Sequence, residues 1–516
     1  MTAPNDADRT RRRWLWAILA FVLLVGGGVG VLCLRGHLAE KRLAQRLEAL
    51  RGRGMPTSME EYLEWRELVP PEENMALAVL DACDRLRRAD AGPSHLIHQR
   101  LEQTEELGDL WSPQKLDIAQ QRLAPLREAL ELAHQVTDLE QGYYPMPSAE
   151  IGTFPPLDHL GEPRRLARLL RESALLHAQR GEMPAAAADL AAALHMAASL
   201  GNRPLFVEAL VGMAVDALAI DGLEWSLAVG KMGHGELAVL AEALAREDAR
   251  LARVHALPGE RAITVGMLRN IAHRDAAQIL GGRRRSAEWF AFQVRARIPG
   301  TPSRAAIALL DSFKPIEQAY RLPLPERPEA AQGATAGIHH NLERRPFEDR
   351  LALYLVPAVG RYAGEQARSH ARMRAARTSL AVEQWRLEHG RWPDSLAELV
   401  PALLESVPTD PFTGEPLRYR RTERGVRVYS VGADGEDQGG ITREERDEPQ
   451  AADWVHDLPF RLLDPAERGA RRMTFRDELE EAGGVPLEEL ERCGYGEEEL
   501  RELGFSESEI RQLRLW

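Results

Sequence analysis

Residues Trp14 to Leu34 form an uncharged run of 21 residues, WLWAILAFVLLVGGGVGVLCL. Coiled into an α-helix, such a run is about 31 Å long and matches the roughly 30 Å hydrocarbon core of a bilayer. A chain that carries it either crosses a membrane there, loses it as a signal, or buries it in a core. The flanks favour an uncleaved anchor. Trp14 and Trp16 stand at one end, where amphipathic rings partition to the interface. Arg9, Arg11, Arg12 and Arg13 crowd the short tail before the run; Arg35, Lys41, Arg42 and Arg46 follow it. The positive-inside rule then predicts a cytoplasmic tail over 1–13 and a single span of the inner (cytoplasmic) membrane over 14–34. The bulk lies beyond, extracytoplasmic or periplasmic. Thr10–Leu15 is a loose twin-arginine match, but no small-x-small cleavage site follows the run. Leu32 before Cys33 is too bulky for lipoprotein processing, and a prepilin-type start is absent. Ala209–Gly230 is no second span, because Asp216, Asp221 and Glu224 interrupt it and mark a core helix.

Beyond the anchor, Ala, Leu, Arg and Glu recur and aromatics are few, which predicts a mainly α protein. Its 516 residues are enough for about three domains. Three cysteines exclude a disulfide scaffold, and a net charge of −13 argues against a general nucleic-acid binder. The α-helical region is expected over 35–319. Ser58 and Glu61 make a capping box for a short helix there, and one helix is expected from about Pro113 to Asp138. Over 164–230 three helices are joined by Arg180-Gly181-Glu182 and Gly201-Asn202-Arg203-Pro204. Gly181, Met183, Ala186, Leu190 and Ala193 fall at the spacing of the second half of a tetratricopeptide repeat. A helical-hairpin array, partly TPR-like, is the expectation. Prolines 299, 302, 315, 323, 325 and 328 break the next stretch, and Gly333–Gly337 reads as a flexible joint, so 320–346 is taken as a domain linker.

From Phe347 the pattern changes. A long helix to His389 stops at Gly390 and is followed by Arg391-Trp392-Pro393, a short helix at Ser395–Val400, and Asp410-Pro411-Phe412-Thr413-Gly414. Leu417–Arg420 and Val426–Val431 alternate as half-buried strands about an Arg424-Gly425 turn, and Gly432-Ala433-Asp434-Gly435 ends the second. These features, in this order over roughly 375–450, resemble the C-terminal globular domain of the major pseudopilin of type II secretion. The resemblance implies a small α+β domain over 347–462 and a calcium-binding acidic loop. Asp434 and Asp437, aided by backbone oxygens near Ser430–Val431 and by Asp447, would be the Ca²⁺ ligands; solvated turn residues are the competing reading. A pseudopilin is short, and here more than 300 residues separate anchor and domain. With the Pro70-Pro71-x-x-Asn74 and Arg180-Gly181-Glu182 elements, the whole chain resembles large bacterial membrane-anchored envelope proteins of unknown function.

Residues 442–516 hold 11 Arg and 21 Asp or Glu. From Gly484 a ten-residue period repeats a glycine turn and a Glu-rich helix, with Ser506 and Glu509 as a capping box, so 463–516 is expected to be an acidic helical tail. No hydrolase, phosphate-loop or dinucleotide motif occurs. His339-His340 and Arg283-Arg284-Arg285 read as surface, Cys83 and Cys493 as ordinary packing, and His177 and His195 as core or groove histidines that could meet across the 164–200 hairpin. No catalytic residue, cofactor-binding residue or small-molecule substrate is evident, and Ca²⁺ is the one cofactor implied. The expected role is non-catalytic: an anchored scaffold binding other envelope proteins. A component or accessory of a type II secretion or pilus-like assembly is the alternative, and a hydrolase without a recognisable motif is the third reading.

Overall fold

The computed structural model describes residues 6–65, 69–89, 106–144, 157–200, 205–253, 256–270, 294–356, 359–442 and 456–514. The first helix, α1 (Asp6–Arg51), runs through the apolar segment without interruption. Its apolar half is exposed: Trp14 is 67% and Leu24 76% exposed. Its second half is buried, through Ala39, Leu43 and Leu47. Helices α2 (Met59–Trp65) and α3 (Met75–Ala89) follow, then α4 (Pro113–Leu123) and α5 (Arg127–Gln135). The single helix expected over 113–138 is therefore divided. Pro125 lies in the 3₁₀ turn Ala124–Leu126 between α4 and α5, where its missing N–H ends the α-ladder.

The expected hairpin array is α6 (Gly161–Gln179), α7 (Met183–Met196) and α8 (Phe206–Val229), extended by α9 (His234–Leu251) and α10 (Ala256–Asn270). Gly181 takes the left-handed conformation (φ 77°) that closes α6 and starts α7. At Gly222 a Cβ would lie 2.9 Å from Leu190 and 3.0 Å from Arg171, so glycine lets α8 press against α7 and α6 together. Met183–Leu200 is also apolar enough to span a bilayer, but most of it is buried, and it serves as a core helix.

The segment 320–346 is not a flexible linker. After α11 (Thr301–Tyr320), the helix α12 (Arg327–Glu343) packs against α11 and against the long helix that follows. Ala331, Ile338 and Leu342 form its buried stripe, and that burial outweighs the helix penalty of Gly333 and Gly337, about 1 kcal/mol each. Nor do the prolines break α11: Pro302 sits in its first turn, and Pro315 is carried inside the helix between buried Phe313 and Ile316.

A short helix, α13 (Phe347–Arg350), leads to the central helix, α14 (Val359–His389). One face of α14 meets α8, α9 and α12; another lies on an antiparallel sheet of β1 (Arg418–Thr422), β2 (Gly425–Ser430) and β3 (Leu458–Leu463), in the order β1-β2-β3. The hairpin loop is Glu423-Arg424, since Thr422 pairs with Gly425. Pro459 is accommodated because β3 is an edge strand. The expected Ser395–Val400 helix is a 3₁₀ turn at Leu396–Leu399. One apolar core runs from Leu43 through α14 to Leu462, so helical array and sheet share it rather than standing as separate domains.

The tail is α15 (Phe475–Glu481), α16 (Leu487–Arg492), α17 (Glu497–Glu502) and α18 (Glu507–Leu513), with left-handed glycines at 484, 494 and 504. The Ser506–Glu509 capping box forms reciprocally. These helices close their own small core and admit Ile118 of α4 to it.

Candidate functional site

The two aspartates singled out by the sequence lie in the turn leaving β2. Asp434 accepts the Glu436 N–H at 3.1 Å and the Gln438 side-chain amide at 2.7 Å. Asp437 Oδ1 accepts the Tyr429 hydroxyl and the Gly439 N–H, both at 2.9 Å. Asp457, just before β3, accepts the N–H groups of Gln438 and Gly440. Burial, with the charges of Asp437 and Asp434 behind it, pushes the Asp457 carboxyl up to about 6. Both predicted ligands thus hold the turn, and among the described residues no three His, Cys, Asp or Glu side chains are arranged to hold a metal. Asp447 lies outside the described residues.

Sequence reading missed the role of Asp410. It is buried, and its carboxylate accepts from the Phe412 N–H, the Ser430 hydroxyl and the Val431 N–H, each at 2.9 Å. One side chain therefore ties the Asp-Pro turn to the end of β2. The signal was the Asp-Pro-Phe tripeptide itself, since an Asp at such a turn caps the N–H two residues on.

His177 and His195 do not pair with each other. His177 Nδ1 lies 2.5 Å from Glu182 Oε2, while His195 Nε2 donates to the Leu139 carbonyl at 2.5 Å. The buried Asp189 carboxylate takes His134 at 2.7 Å. His339 and His340 are exposed on α12, and Arg283–Arg285 fall outside the described residues. Cys83 and Cys493 are both buried, and burial pushes both thiols up, away from thiolate chemistry. The best acid–base grouping joins His159 to Glu208 at 3.0 Å, with Glu260 nearby. These carboxylates cap a helix start: Glu260 accepts the Phe206 N–H at 3.1 Å and Glu208 the Leu205 N–H at 3.3 Å, at the orphaned N-terminus of α8.

A cleft of about 800 Å³ opens where α6, α8, α14 and β3 converge. Its floor is apolar, from Leu210, Met213 and Ala217 of α8 and Phe460 of β3. Arg164 and Arg168 of α6 stand on one rim; Arg361, Arg368 and Arg372 of α14 stand on the other. The carboxylates beside it are already engaged: Asp221 with Arg171 at 2.7 Å, Glu224 with Arg461 at 2.8 Å, and Glu365 with Arg368 at 3.7 Å. Arg164, Arg168 and Arg361 have no carboxylate partner among the described residues, and all three are exposed. The cleft is thus a positive, half-apolar trough on a chain of net charge −13. Sequence reading had no means to find it, because its rims lie some 200 residues apart in a chain where arginine is everywhere.

No family model, curated protein or solved structure matches the chain.

Proposed function

We propose that this is a single-pass, membrane-anchored protein whose extracytoplasmic body binds other envelope proteins without catalysing a reaction. The supporting observation is the cleft: a half-apolar trough lined by three exposed arginines, Arg164, Arg168 and Arg361, that have no carboxylate partner among the described residues. The exposed apolar half of α1 supports the anchor, and the arginines before Trp14 support a cytoplasmic N-terminus in the inner membrane. The test is a photo-crosslinking residue at Leu218, on the cleft wall, in the full chain in its own membranes. The reading expects a discrete protein adduct; adducts with lipid alone would contradict it.

The alternative, a component or accessory of a type II secretion or pilus-like assembly, draws support from α14 lying along a three-stranded antiparallel sheet, as the pseudopilin resemblance implies. Calcium at Asp434 and Asp437 belongs to the same proposal. Six to eight oxygens are needed, so backbone carbonyls, water or Asp447 would have to join the two aspartates. A melting temperature that rises with calcium, and ceases to in D434A/D437A, supports the site. Indifference up to about 10 mM leaves turn-holding as their role.

A further inference from the structure

We propose that the cleft takes an acidic, apolar-studded peptide segment of a partner protein. This deepens the binding reading given above and rests on it. Each carboxylate near the cleft already has an arginine, whereas Arg164, Arg168 and Arg361 face solvent without one among the described residues. A guanidinium prefers a carboxylate or phosphate it can grip in a bidentate way, so the complement is anionic.

The arrangement of the arginines then selects among anions. A site for a compact anion such as phosphate converges its donors on a point. Here the unpartnered ones are spread over two helices: Arg164 and Arg168 lie one turn apart on α6, and Arg361 lies near the start of α14 on the other rim, whereas Arg368 is buried and holds Glu365. Charges spread on both sides of an apolar strip match an elongated ligand bearing acids on its flanks and aliphatic groups beneath. An amphipathic acidic peptide has that pattern along its whole length; a fatty acid carries a single charge at one end.

The floor supplies the apolar half of the recognition. Leu210, Ala214, Ala217 and Leu218 of α8 are half-buried along it and present aliphatic surface, while Met213 and Phe460 are buried. Arg164, Arg168 and Arg361, being exposed, act mainly on encounter rate and selectivity, so binding should weaken as salt rises.

The experiment uses the full chain in nanodiscs of a zwitterionic lipid, with a fluorescein-labelled twelve-residue peptide of glutamate and leucine as probe. Anisotropy should report saturable binding that falls with salt, and a lysine-for-glutamate peptide should not bind. The double variant R168E/R361E should weaken binding by about tenfold or more, as like charges now face each other. R168K/R361K should retain most of it. Both positions are exposed, so an unchanged melting temperature will show that the variant folds. Equal binding by wild type and R168E/R361E would overturn the inference. So would displacement of the probe by inorganic phosphate or dodecanoate at the peptide's own concentration, which would mark a small-anion or lipid site. If the Leu218 crosslink still captures a protein while the acidic peptide fails, the binding reading stands and this inference alone falls.

Discussion

Glu383 sits fully buried in α14 between two guanidiniums, Arg386 and Arg468, each gripping it through two contacts of 2.7–2.8 Å. Burial alone would raise its pKa, but the two cations outweigh burial and hold the carboxyl below its ordinary value. A depressed folded-state pKa means the contribution is present above the ordinary value of 4.5 and is lost as pH falls through the folded one. Glu383→Gln should therefore cost about 3–5 kcal/mol near neutrality, because it strands two buried cations. In chemical denaturation the gap from wild type should narrow in acid; a neutral-pH loss under about 1 kcal/mol would contradict the assignment. Glu260 has the opposite sign. Burial, with Glu208 close by, raises its carboxyl to about 7, so the folded state holds a proton the unfolded chain releases. Stability then falls as pH rises from 4.5 through 7, and Glu260→Gln should flatten that fall, gaining up to about 3 kcal/mol at pH 8. An unchanged pH slope would show that Glu260 is ionised in the fold.

Among the elements, the crossing of α1 and α11 decides how the body meets the anchor. A Cβ on Gly36 would fall 2.9 Å from Pro299, and one on Gly300 2.6 Å from the Gly36 Cα, so backbone packs on backbone there. Arg46 and Asp311 pair further along the same seam. If the span ends at Leu34, this contact lies about 3 Å beyond it along the helix axis, with the body flush against the headgroups. Gly36→Leu should pry the helices apart, costing about 1–3 kcal/mol and widening a spin-label distance between α1 and α11; an unaltered distance would refute the close docking. The tail is held as firmly. Buried Glu478 accepts the Ser112 N–H and hydroxyl, and Tyr495 donates to Asp117. Glu478→Ala should raise amide exchange over 475–513 by orphaning Ser112, at a cost of about 1–3 kcal/mol. These elements also show what a sequence discloses. The array over 161–229 and the tail repeats were legible because glycine turns, caps and apolar periods agree locally. Residues 327–343 were not, because local signals from Pro328, Gly333 and Gly337 oppose the helix and only packing against α14 reverses them. The third strand, Leu458–Leu463, hid for a similar reason: Pro459 is a strand-breaker that only an edge position tolerates. The cleft hid because its charges converge from distant helices.

At the scale of the molecule, one apolar core among the described residues reaches from Leu43 to Leu462, so the second half of α1, the helical array and the sheet share it. If α1 spans the bilayer, that continuity gives the cleft a fixed attitude toward the membrane, since α11 docks α1 and is bound through α12 to α14, whose arginines form one rim. A partner captured there would be held beside the bilayer rather than on a flexible tether. This account depends above all on α1 being an uncleaved anchor with the body on the extracytoplasmic side. The direct measurement is a phosphatase that folds only outside the cytoplasm, fused after Trp516, assayed in intact cells and in carbonate-washed membranes. The account predicts an active, full-length fusion that alkali does not extract. An inactive phosphatase alongside an active cytoplasmic reporter at the same position, or an active fusion released as a shortened soluble chain, would contradict it.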